Sequence, residues 1–203
     1  MAKTKIDACN MALAHLGQSK IQNLLEKNPS SRFCNLFFDA VLEAVLSDYT
    51  WSFATKFSDV LAEVSGETTE YSYVYSIPSD ILLPIKLVIV NESDASEIID
   101  WSTITKNEIA YEIIGDYLHT NESNVKLLYI FKNENTAKQN SIFYIAFSYK
   151  LASMLAMPLT NKKDLKVTME QFYQAEVAKA RAADTSTDRT ELRLGYDLVD
   201  ARD

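Results

Sequence analysis

The hydrophobic pattern of this chain changes period twice, and those two switches limit the fold more than any single residue does. Up to Gly66 the apolar residues recur at three-and-four spacing, the mark of helices that bury one face. Beyond Gly66 the period drops to two: in Tyr71-Ser72-Tyr73-Val74-Tyr75-Ser76-Ile77, the residues Tyr71, Tyr73, Tyr75 and Ile77 share one side of a strand. The helical period returns after Asn135. The expected fold is therefore α+β, mainly α. A discontinuous antiparallel helical bundle (residues 1–66 and 133–183) is interrupted by a small antiparallel β domain (67–132). An extended C-terminal arm (184–203) follows, polar and without a regular period.

Local chemistry marks the ends of the helices. Thr4 with Asp7 reads as a capping box, Ile6, Cys9, Leu13 and Leu16 as a buried stripe, and Gly17 as the stop. Ile21, Leu24 and Leu25 are expected to pack a short connection. Asn28 and Pro29 then cap a second helix, with Phe33, Leu36, Phe37, Ala40, Val41, Ala44 and Val45 facing inward. This helix closes on Tyr49-Thr50-Trp51-Ser52-Phe53-Ala54, whose rings are too large to leave in water and read as a core plug. A further helical piece carries Phe57, Val60, Leu61 and Val64. After the β segment, Ile142, Phe143, Ala146, Phe147, Leu151, Met154 and Leu155 form a broad apolar face expected to stop at Pro158. Asn161 and Asp164 open a last helix to about Ala183, with Leu165, Met169, Phe172, Tyr173, Ala175 and Ala180 inward. The predicted core centres on Phe37, Trp51, Phe53, Phe143, Phe147 and Phe172.

Within the β segment, Pro78 and Pro84 bracket a turn before a strand from Ile85 to Val90, and Ile98 to Trp101 is a further candidate. Glu108–Ile114 and Tyr117–His119 flank the tight-turn pair Gly115-Asp116, and Val125–Phe131 completes one sheet. Tyrosines on half-buried strands suit a core and a protein interface better than a carbohydrate or nucleobase platform.

Composition excludes several functions. With 4 Gly, none suitably grouped, no phosphate-cradling loop forms; His15 and His119 have no ligand partners at metal spacing, and no serine sits in a glycine-flanked elbow. Cys9 and Cys34, each on an apolar helix face, read as small buried hydrophobes rather than a disulfide. A net charge of −8 argues against gripping nucleic acid, though an acidic wall would let a translocating polyanion pass. No apolar run is expected to reach the ~20 residues of a membrane helix. The N-terminus does not open like a signal peptide, which predicts a cytosol-like compartment. Carboxylate pairs such as Asp94 with Glu97 or Glu108 with Glu112 leave a hydrolase as one alternative, and a helical binding module is another. No catalytic, metal or cofactor-binding residue is assigned.

The order of short motifs is more telling than any site. Ile6-Asp7-Ala8-Cys9-Asn10-Met11-Ala12-Leu13 leads to Tyr49-Thr50-Trp51-Ser52-Phe53-Ala54 and then Tyr75-Ser76-Ile77-Pro78-Ser79-Asp80. Thr120-Asn121 precedes Leu127-Leu128-Tyr129, and Leu151-Ala152-Ser153-Met154-Leu155-Ala156 with Leu159-Thr160 precedes the closing Val199-Asp200-Ala201-Arg202. Over almost its whole length the chain resembles the tail tubular protein A family, the tail adaptors of short-tailed phages. It departs from the family near the end, where Leu198 stands in place of a frequent Trp. The resemblance implies a structural protein of the virion tail, assembled in the host cytoplasm. It would form a ring of twelve copies between the portal and the tail nozzle, with DNA passing through without specific binding. It implies no cofactor and no membrane. Leu192, Arg193, Leu194, Tyr196, Leu198, Val199 and Arg202 are the expected partner contacts, with portal the favoured partner.

Overall fold

The computed structural model describes residues 4–64, 70–90, 109–133 and 140–196, with side chains as far as Thr185. The chain divides into a helical unit, Met1–Phe53 with Asn133–Asp203, and a β unit, Ala54–Lys132. The fold is α+β and mainly α, as expected.

In the helical unit, α1 (Lys5–His15) begins at the predicted capping box: the Thr4 side chain accepts from the Asp7 N–H, and Asp7 accepts from the Thr4 N–H. Gly17, at φ +66°, lets the chain turn back, so that Gln18 N–H bonds the Leu13 carbonyl and Gly17 N–H the Ala14 carbonyl. Helix α2 (Pro29–Ser47) starts at Asn28, whose side chain accepts from the Ser31 N–H. Its inward face differs from the expected one. Cys34, Phe38, Val41, Leu42, Val45 and Leu46 are buried, while Leu36, Ala40 and Ala44 are exposed and Phe33 and Phe37 only half-buried. Apolar residues surround most of this helix, so period alone does not choose a face; contact with α3 does.

Helix α3 (Ser141–Thr160), capped by Asn140, is the centre of the unit, packed by α1, α2 and α4 (Lys163–Tyr196). Contrary to expectation it is long and apolar enough to cross a membrane, but most of it is buried inside this bundle. It also runs through Pro158 to a left-handed Asn161, whose N–H bonds the Met157 carbonyl. Proline removes only the bond to the Met154 carbonyl, one turn from the helix end and beside an exposed side chain, where water can replace it. Helix α4 buries Met169, Tyr173, Val177, Ala180 and Asp184. Phe172, predicted as core, is 48% exposed, and Ala175 is exposed as well. Lys150 of α3 bonds Glu170 of α4 at 2.7 Å, and Ser153 Oγ donates to the same carboxylate at 3.0 Å.

Trp51 is the plug that the sequence suggests. It is 1% exposed, its Nε1 donates to the Val45 carbonyl (3.0 Å), and its ring meets Phe143 edge-on at 4.9 Å. Phe53, half-buried, packs on the same Phe143, which stacks on Phe147. Cys9 and Cys34 are free and buried; their mutual hydrogen bond, with burial, pushes the Cys9 thiol pKa up, so it stays protonated. His15 lies at the boundary, stacked on Tyr149 at 4.1 Å and 3.1 Å from Ser148 Oγ. Because Ser148 gives its proton to the Ile145 carbonyl, His15 donates through Nε2, and burial lowers its pKa toward that neutral form.

The β unit holds two three-stranded antiparallel sheets rather than one. β1 (Thr55–Phe57), β6 (Val125–Phe131) and β3 (Ile81–Ile89) form the first, in that order; β2 (Tyr73–Ser76), β5 (Tyr117–Thr120) and β4 (Tyr111–Ile114) form the second. Their shared core is Leu61, Tyr75, Leu87, Leu118, Val125, Leu127 and Tyr129, so two of the tyrosines are core residues. The predicted helix carrying Phe57 to Val64 is replaced by extended chain. Ser58 and Leu61 N–H bond the Leu127 and Val125 carbonyls, and Val64 N–H bonds that of Val74. Strand β3 starts before Pro84 and passes it at a register shift; on an edge strand the missing donor is tolerated. Gly115, at φ +62°, makes the expected hairpin turn, and the candidate strand Ile98–Trp101 lies outside the described residues.

Trp51→Ala should lower stability by roughly 3–5 kcal/mol, and Phe172→Ala by less than about 1.5 kcal/mol, measured by denaturant unfolding. A second expectation concerns acid. Burial pushes the Glu170 pKa up, but the bonds from Lys150 and Ser153 and the Lys150 charge outweigh it and hold it below the usual range. Its contribution is present above the unfolded carboxyl pKa, about 4.3, and is lost as pH falls through the depressed folded value. Glu170→Gln should therefore flatten the loss of stability below about pH 4 in a pH series of melts.

Candidate interaction surface

The residues assigned to partner binding begin where α4 was expected to end, and the structure revises that end. Helix α4 continues past Ala183 to Tyr196, about 18 Å beyond Asp184 at 1.5 Å per residue. No proline interrupts the stretch and its only glycine is Gly195, so a run of modest helix formers extends an established helix. Thr185 supports it by bonding back to the Arg181 carbonyl at 2.9 Å.

Asp184 is thus not the root of a loose arm but the last member of the buried α4 stripe. It is polar because it meets backbone there: Ser52 donates to it twice, from N–H at 2.9 Å and from Oγ at 2.7 Å. Around it, Arg181 pairs with Asp48 at the C-terminal end of α2 and lies over the Tyr49 ring, 5.5 Å from its centroid. Tyr49 Oη is 2.8 Å from Thr185 Oγ1 and is the donor, since the threonine proton is already given to Arg181. Tyr173 Oη bonds Asp48 at 3.4 Å; burial first, and then the Asp48 charge, push its pKa up to about 12. These contacts fix the base of the helical extension.

Leu192, Arg193, Leu194 and Tyr196 sit on that extension. Leu192 and Tyr196, four residues apart, share one side, and Leu194 falls on the opposite side. Leu198, Val199 and Arg202 lie outside the described residues. Of the predicted core residues, Trp51, Phe53, Phe143 and Phe147 come together, while Phe37 and Phe172 do not join them. Sequence reasoning missed Asp184 and Arg181; the signal available was the four-residue step from Ala180 to Asp184, which keeps the stripe in register.

Lys56, Asp80 and Tyr129 form one network, with Asp80 accepting from Lys56 Nζ at 2.7 Å and Tyr129 Oη at 2.9 Å. Asp94, Glu97 and Glu108 lie outside the described residues, and Glu112 accepts from Tyr71 Oη at 3.1 Å. His119, expected on a strand edge, is buried on the central strand of its sheet, 6.0 Å from the Tyr71 ring. Among the described residues no group of three or more His, Cys, Asp or Glu is placed to hold a metal ion. No protein-family model matches the chain, and no curated protein matches it significantly.

Asp184→Ala removes the acceptor of both Ser52 donors; Ser52 itself is exposed, so water replaces part of the loss, and stability should fall by about 0.5–1.5 kcal/mol. Hydrogen exchange should show faster opening of residues 181–196 in that variant, while the β unit is unchanged.

Proposed function

We propose that this chain is a structural tail adaptor of a short-tailed phage, twelve copies of which form a ring between portal and tail nozzle around the DNA channel. The observation that carries the reading is the anchored extension of α4: a helix pinned at Asp184 that runs on for three turns bearing Leu192, Arg193, Leu194 and Tyr196. A helix presented from a fixed base is a ready element for docking on a larger partner. The ordered motifs that resemble the tail tubular protein A family support the same reading. So does the charge of −8, which suits a channel component that DNA must slide past.

In this reading the helical unit is the ring body, the α4 extension contacts portal, and the protein resides in the virion tail after assembly in the host cytoplasm. Leu192 and Tyr196 supply apolar contact, and Arg193 supplies a charge-assisted one at the rim.

The test is assembly. Wild-type protein mixed with portal should give ring-bearing particles by electron microscopy. Deletion of residues 186–203 should leave far-ultraviolet circular dichroism, corrected for the lost helical turns, and melting close to wild type but abolish those particles. Portal binding that survives the deletion would refute the assignment.

A further inference from the structure

The connection between α1 and α2 has no regular secondary structure, yet side chains hold it firmly. Asn10 brackets Ile21, accepting from its N–H at 2.7 Å and donating to its carbonyl at 2.9 Å. Glu26 Oε1 accepts from the Gln22 and Asn23 N–H groups at 2.6 and 2.7 Å, and Asn28 donates to its other oxygen at 2.6 Å. Asn23 in turn accepts from the Leu25 N–H, and its carbonyl accepts from Ser31 Oγ.

The shape so fixed turns leucine outward, against the expectation that this connection packs inward. Leu25 is 81% exposed, and on α2 Leu36 is 65% exposed. Leu24, Leu25, Phe33 and Leu36 line an open groove of about 750 Å³, with Lys27 and Arg32 on its walls. An occupant would meet a surface already ordered, which removes one usual cost of binding.

Charge narrows the occupant. Glu26 is the acid lining the groove, and the hydrogen bonds from Asn23, then Gln22, with that from Asn28, hold its pKa below the usual range, so it is already committed. Neither Lys27 nor Arg32 forms an ion pair with a described residue. In a chain of net charge −8, two uncommitted cations beside leucines select apolar side chains set between carboxylates. The chain carries such a segment directly after α4: Asp197-Leu198-Val199-Asp200-Ala201-Arg202-Asp203.

We infer that this segment of a second copy seats in the groove, with Leu198 and Val199 against the leucines and Phe33, and Asp197 and Asp200 toward Lys27 and Arg32. A neighbour's groove is the target because of the direction α4 runs: Tyr173 bonds Asp48 at the C-terminal end of α2 and, eleven residues on, Asp184 holds Ser52, so the extension leads past that end, whereas the groove lies at the first turns of α2, about 20 Å back along the helix. Groove and segment at different places on one chain make a head-to-tail contact, the kind that closes into rings. The inference rests on the ring proposed above, and it assigns residues 197–203 to the neighbouring subunit, leaving portal to the helical extension.

Two variants test it: a chain lacking residues 197–203, and the full chain with Lys27→Glu and Arg32→Glu. A fluorescent peptide of residues 196–203 should bind the first variant in anisotropy titrations. The same two charge reversals in that truncated chain should weaken binding at least tenfold, as should raising salt from about 50 to 500 mM. In sedimentation velocity without portal, each variant alone should associate less than wild type, and their mixture should give a mixed dimer, since one brings the groove and the other the segment. No peptide binding, binding indifferent to the charge reversals, or a mixture that stays monomeric would each overturn the proposal. So would equal binding of a peptide of residues 97–101, another acidic and apolar run in the chain. The adaptor reading fails separately, by absence of particles with portal, because neither measurement here contains portal.

Discussion

The helical unit depends on the burial of α3. Twenty residues apolar enough to suit a bilayer are stable in water only if other helices cover them, and here α1, α2 and α4 do so. Two of the covering helices precede the β insertion and one follows it, so neither sequence half can bury α3 alone. The polar groups that α3 takes inward are matched. Ser148 bonds back to the Ile145 carbonyl and accepts from His15 of another helix, while the single Ser153 proton is shared between the Lys150 carbonyl at 2.8 Å and Glu170 of another helix at 3.0 Å. This answers the penalty on buried hydroxyls and sets the rotation of α1 and α4 about the central helix.

What could be read from the sequence was local. Thr4 with Asp7, Gly17, Asn28 with Pro29, Asn140 and Gly115-Asp116 mark ends and turns because each is required by the backbone at that point. Trp51, Phe143 and Phe147 were legible as core because a large ring in that setting has nowhere else to go. The choice between two apolar faces was not legible. On α2, Phe33 and Phe37 compete with Phe38 and Leu42, and on α4 Phe172 competes with Tyr173; packing against α3 decides, and period does not record it. Residues 55–64 illustrate the same limit. Their apolar spacing suits a helix, but β6 offers donors and acceptors that only an extended chain can meet.

The candidate surfaces were legible in composition and not in geometry. Leu192 to Tyr196 attracted notice as apolar residues without a home, and they lie on a helix whose footing is Asp184, a residue with no sequence signal beyond its register. The groove at Leu25 was hidden because a leucine in a short connection is ordinarily inside. It faces outward because Glu26 and the asparagines around it satisfy the backbone of the loop, leaving leucine free of any packing role.

The two points at which the chain passes between its units lie close together. Asn133 donates to the Phe53 carbonyl at 2.8 Å, and a few residues along the chain Thr55 pairs with Ile130 as β1 joins β6. For a folding chain this changes the distance problem. Before the β unit forms, bringing α3 onto α2 means closing a loop of roughly ninety residues; once β1 and β6 are zipped, the same meeting closes one of roughly seventeen. At about 0.6 kcal/mol per doubling of length, the difference is about 1.5 kcal/mol of closure entropy. The inserted unit therefore acts as a clasp on the search, and the order of events it favours is sheet first and central helix second.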